Sequence, residues 1–295
     1  MKIKTIGIIA KNQDEAVCNT IKTLFHYLIQ HSCKVIFDTS AAGILSDDLN
    51  INTVSREELS QSCDLAVVVG GDGTLLSAVR SLSDGNIPIL GINLGRLGFL
   101  VDISPQDMLQ CFAQILAGQF VSEERFLLST QVIRDEKIIA EEIAFNDVVI
   151  HIRDVARMIE FETYINDQFV YQQRSDGLVV STPTGSTAYA LSSGGPLLHS
   201  TLNAMVLVPI CPHTLTNRPL VVNADSVIDV IIGDGRQSTS QVTFDGQTGV
   251  DVLPGDRISI RRKDHNICLI HPSNYDYYEI LRAKLRWNEQ IIPHA

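Results

Sequence analysis

Over its first 120 residues the chain alternates short apolar runs with amphipathic stretches. Residues 3 to 10, 34 to 38, 65 to 69 and 87 to 93 are apolar runs of strand length, and Leu65-Ala66-Val67-Val68-Val69 is unbroken and valine-rich. Such a run fits a parallel strand covered on both faces. Between the runs, Val17, Ile21, Leu24, Phe25, Leu28 and Ile29 recur at helical spacing, as do Leu75, Leu76, Val79 and Leu82. Met108, Leu109, Phe112, Ile115 and Leu116 mark a further helix across Pro105 to Gly118. This alternation predicts an α/β domain built on a doubly wound parallel sheet, with ligands at the carboxyl ends of its strands.

Beyond residue 120 the period shortens. Ile159, Phe161, Thr163 and Ile165 alternate with Glu160, Glu162 and Tyr164, and Asn166-Asp167 supplies a turn before Phe169-Val170-Tyr171, which reads as a hairpin. Residues 227–232, 242–244 and 257–260 continue the strand pattern. The expected organisation is an α/β domain over residues 1–120 and a mainly antiparallel β domain over 121–270. Tyr278 to Trp287 is helical in pattern, so 271–295 is expected to return to the first domain.

Composition narrows the class. The chain has 295 residues, 45% of them hydrophobic, enough for a substantial core and two domains. A formal charge of −11 argues against a broad nucleic-acid or anionic-membrane surface, yet leaves room for small anionic ligands held by local cations, amides or a metal ion. The apolar run after Met1 is short and leads into polar residues, so a first strand is expected rather than a signal peptide, and no segment is apolar for long enough to cross a bilayer. Six cysteines without CxxC spacing are expected to be reduced thiols in a cytoplasmic protein. Eight histidines form no HxxxH or Cys/His cluster, and no permanent transition-metal site is expected.

The candidate chemistry sits at loops. Gly70-Gly71-Asp72-Gly73-Thr74 joins the valine-rich strand to a helix, where glycines permit close approach and helix N–H groups suit an anion. An acidic side chain inside a phosphate seat repels its ligand unless it binds a metal, accepts a hydroxyl proton or grips a ribose. Asp72 is therefore either functional or part of a plain tight turn. Asn93-Leu94-Gly95-Arg96-Leu97-Gly98-Phe99-Leu100 is a second glycine loop at a strand end, either ligand-facing or a connection with Phe99 in the core. In the β-rich half, Asp176-Gly177 precedes a strand that ends in Thr182-Pro183-Thr184-Gly185-Ser186-Thr187-Ala188-Tyr189. Thr184, Ser186 and Thr187 can cap the helix expected from Thr187 to Ser192, or their hydroxyls and the nearby amides can bind phosphate or ribose with Tyr189 stacked on a ring. Asn146-Asp147, ahead of Val148-Val149-Ile150, reads alone as a turn.

Taken together, the Gly70–Thr74 turn, the Leu94–Phe99 loop, the Asn146-Asp147 pair and the Asp176-to-Tyr189 segment resemble bacterial NAD kinases in order and spacing, over nearly the whole chain. The glycine-aspartate turn is shared with diacylglycerol-type lipid kinases and phosphofructokinases, whereas the Thr182-to-Tyr189 run is far more specific. The resemblance implies an α/β domain, a β-rich domain and a dinucleotide held between them. It implies transfer of the γ-phosphoryl group of ATP to the adenosine-ribose 2′-hydroxyl of NAD, with Mg²⁺ arriving with ATP and keeping several waters. Asp72 is then the proton acceptor, with Gly73 and Phe99 on the nucleotide. Asn146 and Asp147 match positions that hold a ribose. Arg157, Arg174 and Asp176 match positions at the dinucleotide's other end or at a neighbouring subunit. Thr187, Ala188, Tyr189 and Ser192 match the helix-start loop, and Gln247 of Phe244-Asp245-Gly246-Gln247 a late contact. Asp147 stands where the family usually has glutamate. The family's dimers and tetramers imply self-association, and some relatives resemble polyphosphate users. A lipid kinase and a non-catalytic NAD(P)-binding sensor are the alternative readings.

Overall fold

The structure is a computed structural model that describes residues 3–11, 14–41, 52–95, 98–153, 158–233 and 240–287. The chain forms two compact units, Met1–Glu124 with Ile267–Ala295, and Arg125–Asn266.

The first unit is built on a seven-stranded sheet. Its leading strands are β1 (Thr5–Ala10), β2 (Lys34–Asp38), β3 (Thr53–Val54), β4 (Leu65–Gly70) and β5 (Ile89–Asn93). They lie in the order β3-β2-β1-β4-β5, all parallel, followed by the late strand Ile267–Pro272 and then β6 (Phe120–Arg125). The helices are α1 (Glu15–Gln30), α2 (Arg56–Ser62), α3 (Asp72–Leu82) and α4 (Met108–Leu116). Strand alternation sends Ile6, Ile8, Val67 and Val69 to one face, where they bury Val17, Ile21, Leu24 and Leu28 of α1 with Phe112 and Ile115 of α4. On the other face a side chain at Gly7 would run into Leu59 of α2, so helices cover both sides of the sheet. Arg56 ties α2 to α3 through Ser77 and Ser81 at 3.0 and 3.2 Å and pairs with buried Asp38 at 2.9 Å. Within α1 the expected stripe is narrower than its sequence suggests. Phe25 is only partly buried, tilted against Phe37, and Ile29 is 49% exposed.

Strand order reverses between β1, which is followed by β2 on one side, and β4, which continues to β5 on the other. The carboxyl ends of β1 and β4 lie side by side, with Ala10 opposite Val69. Loops leaving such a reversal open a crevice. Gly71, Asp72 and the start of α3 occupy that position.

The second unit is two six-stranded sheets. One has the order β11-β10-β15-β18-β7-β8, from β7 (Leu128–Arg134), β8 (Lys137–Ala144), β10 (Ile159–Ile165), β11 (Gln168–Ser175), β15 (Ile228–Ile232) and β18 (Arg257–Arg262). The other has β14-β13-β12-β9-β16-β17, from β9 (Asp147–Ile152), β12 (Gly177–Ser181), β13 (Ala204–Ile210), β14 (Leu220–Asn223), β16 (Ser240–Phe244) and β17 (Thr248–Val252). Every described pairing in the two is antiparallel, as the alternating pattern predicts. Phe161, Val230 and Ile258 of one sheet share a core with Val148, Ile150, Leu178, Val180 and Phe244 of the other. The β10–β11 hairpin turns at Asn166 and Asp167, both left-handed at φ 50° and 63°, a conformation these two side chains tolerate. The β7–β8 hairpin turns in the same way at Asp135-Glu136, where Glu136 is not one of the usual turn residues.

Candidate functional site

In the first unit the two glycine loops meet at one carboxylate. Asp72 is the first residue of α3, behind Gly71 in extended conformation. Its Oδ2 accepts the N–H of Phe99 at 3.0 Å, and its Oδ1 accepts those of Leu100 and Val101 at 3.3 and 3.2 Å. Three consecutive amides therefore fix both oxygens of a half-buried carboxylate at the start of a helix, where the dipole also favours negative charge. The loop is held in turn from its own side. Asn93 accepts the Gly95 N–H at 2.9 Å and donates to the Val101 carbonyl at 3.2 Å, and Nδ1 of buried His271 lies 2.9 Å from Oδ2 of Asp102. Gly73 is exposed beside Asp72, and none of the described residues stands within 4 Å of where a side chain at Gly71 would go. Phe99 is half-buried with the Lys284 ammonium 5.3 Å from its ring centre. Arg96 and Leu97 lie outside the described residues.

In the second unit a cavity of about 710 Å³ is lined by Asn146, Asp147, Val149, His151, Ile152, Arg153, Asp176, Ala188, Tyr189, Ile210, Thr243, Asp245 and Gly246. Strand geometry explains the lining. Along β9, Asp147, Val149 and His151 share a face, while Val148 and Ile150 point into the inter-sheet core. On the neighbouring β16, Thr243 lies opposite Val149, and Asp245 follows it two residues on. Among the described residues the buried Oδ1 of Asn146 has no hydrogen-bond partner. Asp147 is 4% exposed, and among the described residues its carboxyl meets no hydrogen-bond donor. Burial, with Asp245 adding its negative charge, pushes this carboxyl from its usual 3.8 up to about 7.

The hydroxyl-rich segment knits this wall together. Thr182 donates from its hydroxyl to the Phe145 carbonyl at 2.7 Å and from its N–H to the Asn146 carbonyl at 2.9 Å. A side chain at Gly185 would overlap the Asn146 backbone, so only glycine lets the segment lie this close. The helix expected from Thr187 to Ser192 shortens to α5 (Tyr189–Ser192), preceded by a 3₁₀ turn, Gly185–Thr187. The capping expectation for Thr184, Ser186 and Thr187 is corrected. Ser186 donates to the Pro183 carbonyl at 2.6 Å and accepts from the Leu198 N–H at 3.0 Å, Thr187 donates to the Thr184 carbonyl at 3.1 Å, and Thr184 accepts from Arg125 at 3.3 Å. Thr182 instead takes the free turn amide, accepting the Gly185 N–H at 3.1 Å.

Of the residues singled out from sequence, Asn146, Asp147, Asp176, Ala188 and Tyr189 line this cavity. Thr187 and Gln247 adjoin its walls in the chain and Ser192 ends α5, none of them lining it, and Arg174 is exposed on the edge strand β11. Arg157 lies outside the described residues. Val149, His151, Ile152, Arg153, Ile210, Thr243, Asp245 and Gly246 line it as well and were not anticipated. The alternation Asp147, Val149, His151, Arg153 carries a period-two signal that could have exposed four of the thirteen lining residues.

Comparison with known proteins converges on one family. Residues 6–120 match the ATP-NAD kinase N-terminal domain and residues 145–271 the ATP-NAD kinase C-terminal domain. The chain is 48% identical to the NAD kinase of Nitrosococcus oceani, covering 98% of each, and 47% identical to that of Teredinibacter turnerae, covering 96% of each. A crystal structure of an NAD kinase from Archaeoglobus fulgidus in complex with ATP superposes with a TM-score of 0.75 at 26% identity, covering 96% of this chain and 98% of that one. A yeast NADH kinase complexed with NADH shares the fold, with a TM-score of 0.91 at 24% identity over all of this chain and 91% of that one. An α/β unit with a clamped carboxylate at its strand-order reversal, in one chain with a β unit whose cavity is lined in part by Asp147, Asp176 and Asp245, is the frame of a nucleotide-dependent phosphotransferase. The chain belongs to the NAD kinase family.

Proposed function

We propose that this protein is an NAD kinase, transferring the γ-phosphoryl group of ATP to the 2′-hydroxyl of the adenosine ribose of NAD to give NADP. The observation that carries the reading is its relationship to curated bacterial NAD kinases along almost the full length of both chains. The cavity on β9 supports it. Its volume suits a nucleoside portion of NAD, Asn146 and Asp147 offer unmatched polar groups to ribose hydroxyls, and Tyr189 is 46% exposed at its wall, where a ring can stack. In this reading Gly73, Phe99, Arg157, Arg174, Asp176, Thr187, Ala188, Ser192 and Gln247 also serve the nucleotides.

Asp72 is the proton acceptor of the reading. As the ribose oxygen bonds to the γ-phosphorus and the bond to the β-phosphate oxygen breaks, the hydroxyl proton passes to the carboxylate and ADP leaves. Oδ2 carries one amide bond where Oδ1 carries two, which leaves Oδ2 the freer acceptor. Phosphoryl transfer otherwise needs positioning and charge neutralisation. Mg²⁺ would arrive with ATP and supply neutralisation of the phosphate charge. Among the described residues no group of three His, Cys, Asp or Glu side chains is arranged to hold a metal ion.

Further parts of the reading are a cytoplasmic location and self-association. All six cysteines are free thiols, as suits a reducing compartment, and no described helix is long and apolar enough to cross a membrane. The edge strands β8, β11 and β14 expose Ile138, Ile139, Phe169 and Val221, surfaces that suit pairing with another copy. Incubation with radiolabelled ATP and NAD, diacylglycerol or no acceptor tests the activity. Label in NADP is the expected result, label in lipid would replace the reading with a lipid kinase, and NAD binding without transfer would make the protein a sensor. Polyphosphate in place of ATP tests the donor.

A further inference from the structure

One carboxylate of the second unit is engaged in holding a second one. Oδ1 of Asp245 accepts the N–H groups of Asn146 at 2.7 Å, Phe145 at 3.0 Å and Asp147 at 3.3 Å, and Oδ2 accepts from Phe145 at 3.0 Å. The Asp245 N–H donates back to the Asp147 carbonyl at 3.0 Å. Three successive amides around one anion form a nest of the kind that binds phosphates, and here the protein fills it with its own side chain. The arrangement turns the Asn146-Asp147 pair toward the cavity and keeps a fixed negative charge close to Asp147.

We propose that Asp245 is a positioning residue for the nucleotide: its carboxylate shapes the 145–147 turn and governs whether Asp147 meets the ribose as an acid or as a carboxylate. The inference deepens the NAD-kinase reading and rests on it for the identity of the ligand. Other charged or titratable groups lining the cavity are His151 on β9, Arg153 just past the end of β9, Asp176 between β11 and β12, and Tyr189 on α5. Arg153 is paired with Asp251 at 2.9 Å, and His151 has Nδ1 within 2.9 Å of the Ile152 carbonyl. Asp245 is the acidic neighbour whose charge acts on Asp147, in concert with burial. The acid form can donate one hydrogen bond. The carboxylate can accept from both hydroxyls of a ribose diol through stronger, charge-assisted bonds, so NAD affinity rises with pH as Asp147 ionises.

The test is a carboxyl NMR titration of protein labelled with ¹³C-aspartate, paired with calorimetric NAD binding across the same pH range, on the parent protein, Asp147→Asn, Asp245→Asn and Asp245→Ser. The parent should show one carboxyl titrating near 7, absent from Asp147→Asn. In Asp245→Asn its midpoint should fall by about half a pH unit or more, and the NAD affinity curve should move with it. Asp245→Ser, neutral and able to accept an amide through its hydroxyl, should move the midpoint the same way if the Asn variant fails to fold. An unmoved midpoint with NAD weakened equally at every pH would reduce Asp245 to a structural residue and overturn the proposal. So would a near-neutral carboxyl that persists in Asp147→Asn. If the carboxyl titrates as described but no variant or parent binds NAD, the ligand reading fails while the coupling of the two aspartates stands.

Discussion

A β-carbon on Gly98 would overlap Oδ1 of Asp72, so the proposed proton acceptor fits only because the facing loop has no side chain there. This relationship joins the two glycine loops into a single device. Gly98 makes room, the next three amides grip the carboxylate, and α3 supplies the helix start.

Gly98→Ala should therefore act on catalysis more than on folding. The methyl group must push the carboxylate off its amides or spread the loop, a strain of about 1–3 kcal/mol for overpacking. We expect turnover to fall by about 10²-fold through misplacement of Asp72, with NAD affinity within a few-fold of the parent. Turnover equal to that of the parent would show that the contact relaxes freely.

Asp72→Asn should lower turnover by about 10²- to 10⁴-fold with NAD affinity nearly unchanged, since the amide cannot take the proton. Its oxygen can still accept from two of the three amides, while its NH₂ opposes the third, so hydrogen exchange at residues 99–101 should rise modestly. Rescue by high Mg²⁺ or by Mn²⁺ would instead assign Asp72 to the metal, and a loss of only a few-fold would remove both roles.

The raised Asp147 carboxyl links stability to pH. Its value in the folded protein, about 7, lies above the ordinary 3.8, so between these values the folded protein holds a proton that the unfolded chain has lost. That contribution is fully present below the ordinary value and is lost as pH rises toward 7, at up to about 1.4 kcal/mol per pH unit. Asp147→Asn removes the slope. Urea melts should show the variant more stable than the parent at pH 8 and close to it at pH 4.5. A difference that stays constant across that span would contradict the burial of an ionisable acid.

Tyr189→Ala tests recognition. The ring is 46% exposed, so the substitution should leave the unfolding midpoint almost unmoved. NAD binding should weaken by about 1–3 kcal/mol, the loss expected of a stacking partner, and ATP binding much less. Equal weakening of both nucleotides would make Tyr189 part of the packing.

Self-association is read from light scattering at micromolar concentration. A particle of twice the 32.5 kDa chain mass or more is expected, and a strict monomer would count against the exposed edges as interfaces.

Elements whose cause is local were legible in the amino-acid order. The change from strand to helix period across Gly70–Thr74 placed β4 and α3, because Leu75, Leu76, Val79 and Leu82 must share a buried face. The Asn166-Asp167 turn and the alternation beside it placed β10 and β11 for the same reason. Resemblance then supplied the family and most candidate site residues. How the backbone serves those residues emerges only on folding. Asp72 is gripped by amides 27 to 29 positions later, and Asp245 by amides up to 100 positions earlier. Every residue type except proline carries such an amide, so no side-chain pattern announces it. The hydroxyls of Thr184, Ser186 and Thr187 suggested caps, but a hydroxyl bonds carbonyls as readily as amides, and only the packed turn decides which lies within reach. Asp147 likewise gives no sign in sequence that it titrates near 7, because that value comes from a cavity wall and from a second carboxylate that folding brings beside it.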